Sequence, residues 1–281
     1  QRHIMSVLDQ VRFEHKGFSH IKITAGTNTI HFDPIGDIQE NDVVILTWNW
    51  PEKIKGTITA LQKGTPCKII APQSLLPFLK EKSAPVVQKN WNNWLWSPNK
   101  NTVHPFLSSV QQYSYIENKQ WPFSENIYRT IGAIKKPVAA VKQFYKKQMI
   151  PQSPPQISLL QWNNGTSLLH ANLCFHQAQA QRNQLLIQDI LTSNNISSID
   201  WMVVGCDYDN TSKHESAVIE QLCTLTEKYP CNAIMLTDLL NSSRQNWGFP
   251  TKLLTPICDA ILDKKKIPSF VFASHSSFLF K

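Results

Sequence analysis

The stretch Thr47-Trp48-Asn49-Trp50-Pro51-Glu52-Lys53 follows four consecutive aliphatic residues, Val43 to Leu46, and sets two indoles, one carboxylate and one ammonium side by side. Zinc-based hydrolysis needs neutral imidazole or ionised carboxylate donors about 2 Å from the metal. An indole has no lone pair to offer and an ammonium repels a cation, so only Glu52 among these side chains can coordinate. The chemistry left to the segment is binding. Trp48, Asn49, Trp50, Glu52 and Lys53, together with Asn172, are the expected ligand pocket, with the two indoles acting either as stacking platforms or as apolar filling of a hollow.

A second set of reactive groups follows the apolar run Ile199 to Cys206: Asp207, Asp209, His214 and Glu215. With Asp238, His275 and Glu52 they make up legitimate donors for a displaced metal site. Asp207, Asp209, His214, Asp238 and His275 are equally the catalytic set of a metal-independent hydrolase. Their spacing matches no metal motif, and His214 and Glu215 at a helix start are accounted for as capping and dipole partners. Cys206 with His275 is a conceivable nucleophile and base, a pairing that needs hydrogen-bond reach and an oxyanion hole. His104, His170 and His176 read as hydrogen-bonded scaffold. There is no Gly-x-Ser-x-Gly and no phosphate-cradling glycine loop, and nine glycines in 281 residues leave little room for one.

Composition bounds the class. The chain is 42% hydrophobic and 17% charged, ordinary globular values, and no run approaches the 18 or so apolar residues of a membrane span. The formal charge of +8 favours anionic partners, nucleic acid and anionic lipid among them. Trp91, Trp94 and Trp96 beside Lys89 and Lys100, with Lys264-Lys265-Lys266, form a candidate nucleic-acid surface; ordinary packing and a solvated face explain them as well. Six widely spaced cysteines without a Cys-x-x-Cys read as free thiols in a reducing, cytoplasmic setting. Four glycosylation sequons read as chance in a chain rich in Asn, Ser and Thr. The sequence opens at Gln1 with no leader pattern, so a trimmed start is expected.

The elements that must position these groups alternate. Val43–Leu46 is a buried strand, followed by a helical run to Leu61. Gln179 to Leu191 reads as a helix, Ile199 to Cys206 as a strand and Ser212 to about Tyr229 as a helix. Ile234 to Leu236 is a strand, Thr251 to Asp263 a helix and Ser269 to Ala273 a strand. Between the halves, residues 91–155 read as an aromatic and helical insertion. Ile127, Ile131, Ile134, Val138, Val141 and Phe144 define one apolar helical face, and Pro137 kinks it.

Asp42 to Lys53 resembles the metallo-β-lactamase superfamily, in which the same strand runs into Thr/Ser-His-x-His-x-Asp-His and a helix. On that pattern Trp48 takes the first His position, Trp50 the second, Glu52 the Asp and Lys53 the last His. His20 to Thr24 and Asn28 to Pro34 resemble the family's opening hairpin with its Asp-Pro turn. Gly64 to Pro72 resembles the next strand, and Ser74 to Lys82 the helix after it. The second half resembles the branch holding ascorbate phosphate lactonase and N-acyl-phosphatidylethanolamine phospholipase D. There a strand ending in Gly-Asp supplies a bridging carboxylate, where this chain has Ser167-Leu168-Leu169-His170-Ala171-Asn172. Another strand ends in Pro-x-His, where this chain has Ile234-Met235-Leu236-Thr237-Asp238.

The resemblance implies an α/β fold, a four-layer αββα sandwich, as a single domain over 1–281 carrying the 91–155 insertion. With its donors replaced, the expected protein holds no zinc and no cofactor and is catalytically inactive. It acts by binding a protein or anionic ligand. A hydrolase of the phosphoester or lactone type and a basic nucleic-acid adaptor are the alternatives.

Overall fold

The computed structural model describes residues 11–17, 19–48, 51–91, 95–96, 107–114, 138, 150–151, 156–174, 177–207, 212–238, 255–271 and 277–280. The chain divides into two compact units: residues 1–100, 150–153 and 272–281, and residues 101–149 and 154–271. Each unit contains one sheet.

In the first unit the strands are β1 (Val11–Gly17), β2 (His20–Ala25), β3 (Asn28–Phe32), β4 (Val43–Ile45), β5 (Lys68–Ile70), β6 (Leu95–Trp96) and, from the far end of the chain, β13 (Ser277–Phe280). Their order is β13-β1-β2-β3-β4-β5-β6, antiparallel through β3 and parallel from β3 to β6. The alternation in β1 shows how residue type sets the pleat: Val11, Phe13 and His15 are buried while Arg12 is exposed and Glu14 and Lys16 are half-buried. Helices α1 (Pro51–Lys63), α2 (Leu76–Lys82) and α3 (Pro85–Lys89) follow the parallel strands. Val44, Leu46, Ile54, Leu61, Ile69, Leu79 and Val87 form their shared core.

Proline at the first position of α1 suits a turn with no amide partner to lose. Gly64 ends the same helix at φ 69°, a left-handed conformation that costs glycine least. Its amide donates to the Leu61 carbonyl and that of Thr65 to the Ala60 carbonyl, so two carbonyls of the last turn of α1 are satisfied.

The second unit repeats the plan. Strands β7 (Leu107–Ser114), β8 (Gln156–Trp162), β9 (Ser167–Cys174), β10 (Ile199–Asp207), β11 (Cys231–Asp238) and β12 (Ser269–Val271) lie in the order β12-β11-β10-β9-β8-β7. Here two antiparallel pairings lead into three parallel ones. Helices α4 (Gln177–Ser193), α5 (Ser212–Lys228) and α6 (Thr255–Lys265) link the parallel strands. Met202 and Val204 of β10 pack into one core with Ile187, Leu222 and Ile261 from the three helices. Trp201 and Val203, on the opposite pleat, are buried too, which is why this strand is a continuous apolar run rather than an alternating one.

These elements match the alternation expected from the sequence; of the helix expected over 251–263, residues 251–254 lie outside the described residues. Within residues 91–155, the stretch expected to be an aromatic and helical insertion, β6 and β7 are strands of the two sheets. Of the apolar helical face expected at 127–144, only Val138 is among the described residues; it is helical but 70% exposed. Trp91 is a core residue at 8% exposure, with Lys80 Nζ 5.5 Å from its ring centroid, and is therefore not a stacking platform.

Cys67, Cys223, Cys231 and Cys258 are buried free thiols, as expected; the side chains of Cys174 and Cys206 lie outside the described set. Burial pushes the thiols of Cys67 and Cys231 up to about 12, the first also facing the Asp42 carboxylate. At pH 7.5 they hold almost no thiolate. Peptide mapping after iodoacetamide treatment should find both unmodified in the native protein and fully modified in urea; rapid native labelling would contradict this packing.

Candidate functional site at the end of β4

The site forms where the parallel strands of the first unit reach their carboxyl ends, the edge at which open α/β sheets place ligands. β3 stops at Phe32, and the Asp33 amide donates to the Ile45 carbonyl at 3.0 Å, carrying the ladder one residue further. Asp33 then takes φ 45°, which turns the chain and leaves its carboxylate fully buried. That carboxylate is completely engaged. Oδ1 accepts from the Thr47 amide at 2.7 Å, and Oδ2 accepts from Thr47 Oγ1 at 2.5 Å and from Lys53 Nζ at 2.8 Å.

Lys53 lies on the first turn of α1 and is 6% exposed. A buried ammonium is tolerable only with a counter-charge, and Asp33 supplies it. The other neighbour is the half-buried Trp48, whose ring centroid lies 5.8 Å from Lys53 Nζ, within cation–π range. Close packing holds α1 in this place: the Gly56 amide donates to the Pro34 carbonyl at 3.0 Å, directly after Asp33.

Of the expected pocket, Trp48 and Lys53 thus meet beside a carboxylate that the sequence had marked only as a turn. Lys53 is neutralised by Asp33, so its charge is spent inside the protein rather than offered to a ligand. Glu52 is the second residue of α1. Asn49 and Trp50 lie outside the described residues.

In the second unit, Asn172 is on β9, its Cα paired with Gly205. Asp207 and Asp238 are the last residues of β10 and β11, in adjacent parallel strands, with Cys206 paired to Asp238 and Asp207 to Cys174. His214 is the third residue of α5, and Glu215 follows it. Asp209 and His275 lie outside the described residues, as do His104 and His176; His170 is buried in β9.

A zinc pair does not fit the described groups at the end of β4: an indole and a carboxylate-bound ammonium are not donors. Among the described residues no group of three or more His, Cys, Asp and Glu side chains is arranged to hold a metal ion.

No known family's sequence profile matches the chain, and no curated protein matches it in sequence. Solved structures do match. The metallo-beta-lactamase fold protein YhfI from Bacillus subtilis aligns with a TM-score of 0.55 at 9% identity, over 96% of this chain and 100% of that one. A CmlA beta-hydroxylase variant aligns with a TM-score of 0.50 at 9% identity, over 95% of this chain and 53% of that one. The chain has the α/β metallo-β-lactamase fold.

Proposed function

We propose that this is a metallo-β-lactamase-fold protein with a degenerate metal motif, working by binding and not by zinc-dependent hydrolysis. The observation that supports it is Lys53. It stands in the last His position of the motif its sequence resembles, and its ammonium is bound to Asp33 at 2.8 Å with Trp48 alongside. In such hydrolases paired zinc lowers the pKa of the attacking water. An internal ammonium already balances the buried carboxylate here, so a further cation meets repulsion in place of donors. Trp48, with Asn49, Trp50 and Glu52, is the proposed contact surface for a protein or small ligand, and four buried free thiols suit a reducing compartment.

The fold itself does not choose a chemistry; one matching structure is named for a hydroxylase. A second reading, a hydrolase, is favoured by one observation: Asp207 and Asp238 end neighbouring parallel strands. Elemental analysis separates the two. Purified full-length chain should carry under about 0.2 equivalents of zinc after buffer exchange, since tight binding needs the missing ligands. One or two stoichiometric equivalents would overturn the binding proposal and favour the displaced-metal hydrolase. Among the described residues no helix is long and apolar enough to cross a membrane.

A further inference from the structure

We propose that His20, His31 and Asp42 form an acid-sensitive latch, holding the start of β2 to β3 and to the loop before β4 at neutral pH and releasing it as the solution becomes acid. The three side chains come from three segments and are buried. His20 Nε2 and His31 Nδ1 are 2.9 Å apart, and His31 Nε2 is 2.8 Å from Asp42 Oδ2, which also accepts from the Gln39 amide at 2.7 Å.

The order of protons follows from the end of the chain. A carboxylate only accepts, so His31 Nε2 carries a hydrogen. Neutral His31 then has a bare Nδ1, so the hydrogen between the rings belongs to His20 Nε2. That leaves His20 Nδ1 a bare acceptor, buried without a hydrogen-bond partner among the described residues.

The chain has no ready place for a further proton. A proton added at His20 Nδ1 makes a buried imidazolium whose new N–H has no acceptor among the described residues. Once the start of β2 comes away, that imidazole reaches water and charges freely, so acid favours the released form.

The surrounding charges do not relieve this. His15 and Lys16 on β1 and His31 on β3 oppose a positive His20, and among the described residues Asp37 in the β3–β4 loop favours it. Asp37 is itself bound to Lys22 at 3.1 Å. Burial first, then His31, hold His20 down at about 3 from an ordinary 6.5. A base whose folded value is depressed gives stability that is complete above about pH 6.5 and is lost progressively as pH falls toward 3.

The test compares full-length wild type with His20→Gln by urea unfolding from pH 7.5 to 5.0. Glutamine can still donate to His31 Nδ1 but does not titrate. Below about pH 6 the wild-type folding constant should fall about tenfold more per pH unit than that of the variant, the slope of one proton. Parallel curves would overturn the latch. Should His20→Gln fail to fold, imidazole nitrogen NMR of the wild type decides. A neutral His20 protonated on Nε2 at pH 5 supports the latch; a His20 that charges near pH 6.5 overturns it.

Discussion

Lys53→Met is expected to lower the unfolding free energy by about 3–5 kcal/mol, the cost of removing one partner from a buried ion pair. The Asp33 carboxylate is fully buried, and Lys53 Nζ is its only charged partner among the described contacts. Methionine keeps the length and the apolar stem while deleting the charge, so the loss reports the uncompensated carboxylate and not a cavity. Adding Asp33→Asn should recover most of it. Asparagine tolerates the left-handed φ of 45°, keeps an oxygen for the Thr47 amide and offers an N–H that the Thr47 hydroxyl can accept. Urea unfolding followed by tryptophan fluorescence gives the double-mutant cycle, in which the second change must rescue the first. If Lys53→Met alone stayed within about 0.5 kcal/mol of wild type, as ordinary surface changes do, the ion pair would not be what holds the end of β4 together.

Gly56→Ala should reverse the usual helix rule. Alanine in a helix interior normally gains about 1 kcal/mol over glycine. Here a Cβ would fall 2.3 Å from the Pro34 carbonyl oxygen, 2.6 Å from the Gly36 amide nitrogen and 2.7 Å from the Ile35 carbonyl carbon. All three atoms are backbone, so the clash is not relieved by a side chain swinging away. α1 would have to back off from the Asp33-Pro34 turn, lengthening the 3.0 Å bond from the Gly56 amide to the Pro34 carbonyl. A net loss of about 3 kcal/mol or more is expected, at the upper end for overpacking. Lys55→Ala, on the exposed face of the same helix, serves as the control and should change stability by under about 0.5 kcal/mol. A neutral or stabilising Gly56→Ala would mean that α1 does not press on this turn.

Both predictions concern contacts that no local pattern announces. Asp33 and Lys53 are 20 positions apart. The letters identify one as a turn residue and the other as a cation standing in a ligand position of the motif it resembles, and nothing in either neighbourhood says that they meet. Lys53 was expected to face a ligand; folding gives it to Asp33, because the left-handed turn after β3 and the close approach at Gly56 bring the head of α1 over the carboxylate. The His20, His31 and Asp42 chain escaped notice for the same reason. Its members are each 11 positions from the next, on segments whose pairing is a property of the sheet. β7 was missed for a different reason. Its sequence, Leu107-Ser108-Ser109-Val110-Gln111-Gln112-Tyr113-Ser114, is polar and carries little apolar signal, so its place in the sheet comes from pairing with β8 rather than from its own composition.

What the sequence determined by itself is the alternation of strands and helices and the lack of imidazole in the segment that follows Val43–Leu46. Apolar runs such as Val43–Leu46 and Ile199–Cys206 are buried by the hydrophobic effect whatever lies around them, and indole or ammonium groups are poor metal donors in any fold. What the tertiary structure alone decided is which buried charge answers which. A lone ionised group cannot stay in an apolar interior, yet its partner is chosen by the geometry of strands and turns distant in the chain. Asp33 beneath Lys53, and Asp42 beyond two imidazoles, are therefore legible only once the sheet is built.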